Sequence, residues 1–136
     1  SIAKKAAFLE HMVQCLGLND VAVVAARAEV LGHSPAHRER YDVAVARAVA
    51  DTRVLAEYCL PLCRVGGRFL APKGATIEDE LAAAAPAIAL LGGKLHAAEP
   101  VTIPGVEPRT LLVIDKIAPT PAQYPRAPGV PAKRPL

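Results

Sequence analysis

Apolar and polar positions alternate along this chain with two distinct periods. Ile2, Ala6, Leu9, Val13 and Leu16 are spaced by four, three, four and three residues, one stripe at helical period. Lys4, Lys5, Glu10, His11 and Gln14 fall mostly off that stripe, Ser1 can cap the helix, and Gly17 can stop it. Val21–Ala26 is a short apolar run that predicts a buried strand, ending at Arg27-Ala28-Glu29. A Gly/His/Ser/Pro loop covers 32–40, and a second strand is predicted over 42–47. Its Val43-Ala44-Val45-Ala46 core is apolar without alternation, as in a strand buried on both faces, and Arg47 breaks the run at the strand end. Asp51 is placed to cap a helix over 52–63 that carries Val54, Leu55, Tyr58 and Leu62 on one side; Pro61 bends or shortens its last turn.

Gly66-Gly67 predicts a turn into a third strand, 68–71, closed by Pro72-Lys73-Gly74. Thr76-Ile77-Glu78-Asp79 fits a variant capping box. The helix it opens runs through Leu81, Ala84, Ala85, Ile88 and Leu91, is kinked at Pro86 and stops at Gly92-Gly93. Strands are predicted at 94–103 and 109–117. The gap between them is too short for a helix, so they form an antiparallel pair, and Leu111-Leu112-Val113-Ile114 makes the second one internal. Prolines at 119, 121, 125, 128, 131 and 135 predict an extended tail. The order is that of an α/β protein: three parallel strands with crossover helices, plus a C-terminal antiparallel strand pair. By fold analogy alone this order resembles the C-terminal portion of a Rossmann-like, class I methyltransferase sheet, and the apolar strands at 21–26 and 42–47 are expected to need N-terminal neighbours that this sequence lacks. The domain reading is a partial domain over 1–118 and a basic, proline-rich tail over 119–136.

Composition alters this picture at three points. With 136 residues the chain can build one real core, and no apolar run approaches the roughly 20 residues of a membrane span. The net charge of +3 is too small to mark a nucleic-acid binder unaided, but it lies wholly in the tail, where Arg126, Lys133 and Arg134 meet no acid. Cys15, Cys59 and Cys63 have neither zinc nor redox spacing and read as buried, reduced thiols. His33 and His37 flank Pro35 without a matching carboxylate or cysteine pattern, so no metal site is expected.

Ligands of open α/β sheets sit outside the carboxyl ends of the strands. Arg47 at such an end is therefore either a functional residue or a solvated one, and the same choice holds for Ala28-Glu29 and for Lys73. Lys4 and Lys5 read as a solvated helix face or as phosphate contacts.

A resemblance narrows these choices. Ser1-x-x-Lys4-Lys5-x-x-Phe8-Leu9, Arg27-Ala28-Glu29, Tyr41-Asp42-Val43-x-x-Ala46-Arg47-Ala48, Leu70-Ala71-Pro72-Lys73-Gly74 and Tyr124-Pro125-Arg126-x-Pro128-Gly129-x-Pro131-x-Lys133-x-Pro135 occur in that order. Together they resemble, over the whole chain, the ribosomal RNA small-subunit methyltransferase G family, also called glucose-inhibited division protein B. The resemblance implies a cytoplasmic enzyme, monomeric at full length, that uses S-adenosylmethionine to methylate N7 of a guanine in the 16S ribosomal RNA of the small subunit. By match to the family, Ala28, Glu29 and Arg47 bind the cofactor. The family's glycine-rich loop and an acidic residue precede the position of Ser1, so the chain reads as the C-terminal part of the enzyme, inactive alone.

The chemistry fits these residue types. Guanine N7 carries a lone pair and no proton, so its attack on a methyl sulfonium needs no general base and no catalytic acid–base residue is assigned. Alignment of the reactants can supply several kcal/mol, roughly up to ten. Arg47 suits the cofactor's methionine carboxylate or an RNA phosphate, not the positive sulfur. Lys73 is a candidate for guanine O6 or a phosphate, and Lys4, Lys5, Arg126, Lys133 and Arg134 are RNA-binding candidates. The other class of function left open is a non-catalytic α/β module that completes its sheet against another chain.

Overall fold

A computed structural model describes residues 2–47 and 50–136; the cap expected at Ser1 lies outside them. The first helix, α1 (Ile2–Cys15), forms where the stripe predicts it, yet none of its residues is buried. Ile2 is 72% exposed and Leu16 62%, so the stripe has no partner among the described residues. A single turn, α2 (Ala28–Leu31), follows.

The strand expected at Val21–Ala26 is absent. That segment is irregular, Val21 and Val24 are exposed, and Ala26 N–H bonds the nearby Val24 carbonyl at 3.0 Å. A strand exists only through a neighbour's backbone, and this run finds none among the described residues. For the same reason β1 (Tyr41–Val45) is an edge strand. Ala44 and Ala46 pack on the core while Val43 and Val45 are exposed, so burial on both faces does not hold here.

The Asp51 cap on α3 (Thr52–Cys59) is present: Oδ1 accepts the Arg53 N–H at 2.8 Å. The helix ends sooner than 63, two residues before Pro61, which has no N–H with which to continue the i→i−4 ladder beyond the Leu60-to-Ala56 bond. Val54, Leu55, Ala56 and Cys59 supply its buried face. Next comes β2 (Cys63–Lys73), longer than the predicted 68–71. Gly66 and Gly67 lie inside it, where the parallel register with β1 jumps between Tyr41↔Cys63 and Val43↔Arg68. Gly66 has φ +85°, and a Cβ on Gly67 would stand 2.6 Å from the Asp42 carbonyl, so the pair makes an irregularity within a strand, not the turn before one.

Helix α4 (Glu78–Leu90) begins without the capping box: Ile77 is the cap residue and makes no side-chain cap bond. Glu78, Asp79 and Glu80 fill its first turn instead, placing negative charge where the free N–H groups and helix dipole favour it. The helix continues through Pro86 to Leu90. The last two strands, β3 (Gly93–Val101) and β4 (Arg109–Lys116), pair antiparallel as the short gap requires.

Among the described residues the sheet order is β1-β2-β4-β3. β4 is therefore internal and antiparallel to both neighbours. Two antiparallel steps return β3 to the direction of β1 and β2, but the parallel set expected of 21–26, 42–47 and 68–71 keeps only its last two members. Helices α3 and α4 cover one face, and Leu55, Leu60, Phe69, Ile88, Leu91, Leu112 and Ile114 form the core between. No helix among the described residues is long and apolar enough to cross a membrane.

The tail is neither fully extended nor detached. Gly129 leads into a one-turn helix, α5 (Val130–Lys133), with a proline in its first turn; Pro125 and Pro131 are buried, and Tyr124 and Leu136 pack on the core.

Candidate functional site

Outside the carboxyl ends of β1 and β2, a cleft of about 920 Å³ is lined by Arg47, Asp51, Lys73, Glu80 and Arg109, among others. Three elements meet there through Glu80. Its Oε1 accepts the Thr52 N–H at 2.6 Å and the Thr52 hydroxyl at 2.5 Å, and it pairs with Lys73 Nζ at 2.6 Å. Burial pushes the Glu80 carboxyl up, but the Lys73 ammonium and the two Thr52 donors outweigh it and hold the group below the usual carboxylate range. Asp51 is held low chiefly by its hydrogen bond to the Arg53 guanidinium, met at 2.8–2.9 Å.

These pairings decide which charges face the cleft. Lys73 is nearly buried and its ammonium is taken by Glu80 and by the Ala50 carbonyl at 2.9 Å, so it holds the cleft wall together. It is not turned outward to meet a base or phosphate. Arg47 and Arg109 are exposed and without a partner among the described residues. The cleft thus offers guanidinium groups whose charge is not already spent, and its chemistry is that of an anion site. Sequence reading passed over Arg109; the available signal was a basic residue at the start of a strand, directly after the Pro104–Pro108 loop.

Ala28 and Glu29 do not line this cleft. They begin α2, and the Glu29 carboxylate, buried rather than exposed at a helix start, accepts the Gly129 N–H at 2.9 Å. The tail cations also part company. Arg126 is turned inward: its backbone N–H and guanidinium donate to the fully buried Glu57 carboxylate at 2.7–3.2 Å, so it is not the RNA-facing residue its charge suggested. Lys133 and Arg134 are exposed, and so are Lys4 and Lys5, which flank Phe8 and Leu9 on α1.

Two further cations join distant segments: part-buried Arg38 holds the tail, and buried Lys116 ties β4 to the residues before β1 and β2. Arg38 donates to the carbonyls of Gly32, Thr120, Pro121 and Tyr124 at 2.7–3.2 Å. Lys116, in the apolar β4, reaches the Glu39 carboxylate at 3.0 Å and the carbonyls of Leu60 and Cys63 at 2.7 and 3.0 Å. Neither was singled out from sequence, since their partners lie far along the chain. Burial pushes the Cys59 thiol up to about 12 and the Cys63 thiol up as well, so neither is a nucleophile near neutral pH. Cys15 is exposed, against the expectation of three buried thiols.

Similar proteins agree on one assignment. The family model described as rRNA small subunit methyltransferase G matches residues 1–105. Proteins named ribosomal RNA small subunit methyltransferase G are 65% identical over 136 residues in Roseiflexus castenholzii, covering 100% of this chain and 58% of the relative. The corresponding protein of Chloroflexus aggregans is 59% identical over 133 residues, covering 98% and 56%. This chain therefore spans somewhat more than half the length of the curated relatives it matches. A crystal structure of an rRNA methylase from Streptococcus thermophilus superposes with a TM-score of 0.54 at 18% identity, covering 80% of this chain and 65% of that one, which supports the fold. On the match over residues 1–105, the chain belongs to the rRNA small subunit methyltransferase G family.

Proposed function

We propose that this chain is part of a longer, cytoplasmic S-adenosylmethionine-dependent enzyme that methylates N7 of a guanine in 16S ribosomal RNA. The family match over residues 1–105 carries the reading. The cleft supports it: an unpaired Arg47 beyond the end of β1 suits the carboxylate at the amino-acid end of the cofactor, which supplies an electrophilic methyl group when bound. Arg109, in the same cleft, suits a phosphate of the RNA. Ala28 is the contact proposed for the adenine, through its backbone. Lys73 and Glu80 keep the ends of β2, α3 and α4 in register around the cleft. Lys133 and Arg134, with Lys4 and Lys5, are the proposed phosphate contacts outside the cleft. None of these residues transfers a proton, as N7 alkylation requires; their work is alignment.

Arg47→Ala in the full-length enzyme tests the assignment. Its expected result is cofactor binding weakened about tenfold, the scale of one charge-assisted contact, with an unchanged melting temperature. Unaltered cofactor affinity would remove Arg47 from the site. Incubation of unmodified small subunits with methyl-labelled S-adenosylmethionine tests the reaction; label found only in protein, or on another ring atom, would overturn it.

A further inference from the structure

The adenine-side segment is held from the C-terminal tail. Residues 21–26 before it are irregular, so nothing in the sheet fixes α2 from that side. On the other side the contacts are close. Glu29 is 4% exposed and accepts the Gly129 N–H at 2.9 Å. Gly32 lies so near the Pro125 ring that a Cβ there would stand 2.7 Å from two of its carbons. His33 Nε2 donates to the Pro125 carbonyl at 2.6 Å, and one nitrogen of the Arg38 guanidinium bridges the Gly32 and Tyr124 carbonyls at 2.7 and 2.8 Å. The Glu29 carboxylate is thus enclosed beside the tail, with its Oε1 already engaged by the Gly129 backbone.

Building on the cofactor reading above, we propose that Glu29 is a positioning residue: by gripping Gly129 it seats α2 against the tail, so that the tail sets the affinity for S-adenosylmethionine. The tail then serves the cofactor site, and not solely the RNA.

Calorimetric titration of the full-length enzyme with S-adenosylmethionine tests this, with thermal melts on every variant. Glu29→Gln keeps an acceptor oxygen for Gly129 and is expected to bind within about threefold of wild type, whereas Glu29→Ala loses about tenfold. Ending the chain after Pro128 removes the donor and is expected to lose a similar factor. Combining truncation with Glu29→Ala adds little, because both delete the same contact. Glu29→Gln as damaging as Glu29→Ala, with a harmless truncation, would make Glu29 a direct ligand and overturn the proposal. So would wild-type affinity in Glu29→Ala accompanied by a lower melting temperature, the mark of a purely structural contact. If the truncated protein does not fold, the Gln and Ala variants decide between these outcomes. Wild-type enzyme that binds no S-adenosylmethionine would overturn the proposed function itself, and this inference with it.

Discussion

Glu57 is fully buried, and among the described residues every hydrogen bond to its carboxylate comes from Arg126. Removing one member of a buried ion pair leaves the other charged and desolvated, at a cost of about 3–5 kcal/mol. The Arg126 side chain is 25% exposed and its backbone N–H survives substitution, which lowers the cost. Arg126→Ala is therefore expected to lose about 2–3 kcal/mol, measured as a shift in denaturant midpoint at constant slope. Lys133→Ala, at an exposed position, stays within about 0.5 kcal/mol. Equal stability of the two variants would refute the pairing. In the sequence, Arg126, Lys133 and Arg134 read alike, because composition gives the sign of a charge but not the carboxylate that claims it. Glu57 lies 69 residues earlier in the chain than Arg126, on the buried side of α3, and no local pattern links the two.

Elements were legible where their causes are local. Asp51 capping α3 needs two residues, the Gly92-Gly93 stop of α4 needs one, and the β3–β4 pairing follows from a gap too short for a helix. Elements whose existence depends on a distant neighbour were misread. The 21–26 run has strand composition but no ladder, and β1 has the composition of a doubly buried strand while standing at an edge. The early start of β2 depends on a register irregularity opposite Tyr41–Val43, which no local pattern encodes. In the tail, proline density argued for an extended segment. Proline in the first turn of a helix is nonetheless well tolerated, since its missing N–H has no helical partner to lose, and α5 uses it there. The candidate site was legible in part. Arg47 and Lys73 do share a cleft at strand ends, but that Glu80 has already claimed Lys73 shows only once three elements are assembled.

At the scale of the whole molecule, Glu39 and Glu80 join separate parts of the chain, while Asp51 serves its own helix end. Glu39 receives the Thr120 N–H at 2.7 Å and the Lys116 ammonium; burial raises its pKa, and these partners together bring it below the ordinary value. Asp51 and Glu80 are lowered likewise. A carboxyl whose pKa is lower folded than unfolded binds more protons in the unfolded state. Its stabilisation is complete above the unfolded values, 4.5 for glutamate and 3.8 for aspartate, and drains away as pH falls through the folded values. Denaturant midpoints are expected to be level near neutrality and to fall from about pH 5 downward. Glu39→Gln should flatten that acid limb, and a limb identical to wild type would exclude Glu39 from it.

The grip of Glu57 on Arg126 also decides where a protease can start. Trypsin must draw an arginine into a pocket that ends in a carboxylate, and a guanidinium already paired inside the domain is not on offer. Arg27, exposed, extended and preceded by the irregular 21–26 run, has no such protection. Limited digestion of the native chain should cut after Arg27 well before it cuts after Arg126, leaving a large C-terminal fragment that keeps the tail at least as far as Lys133. Most of a segment whose proline content marks it as a tether would then outlast a site ninety-nine residues nearer the start of the chain.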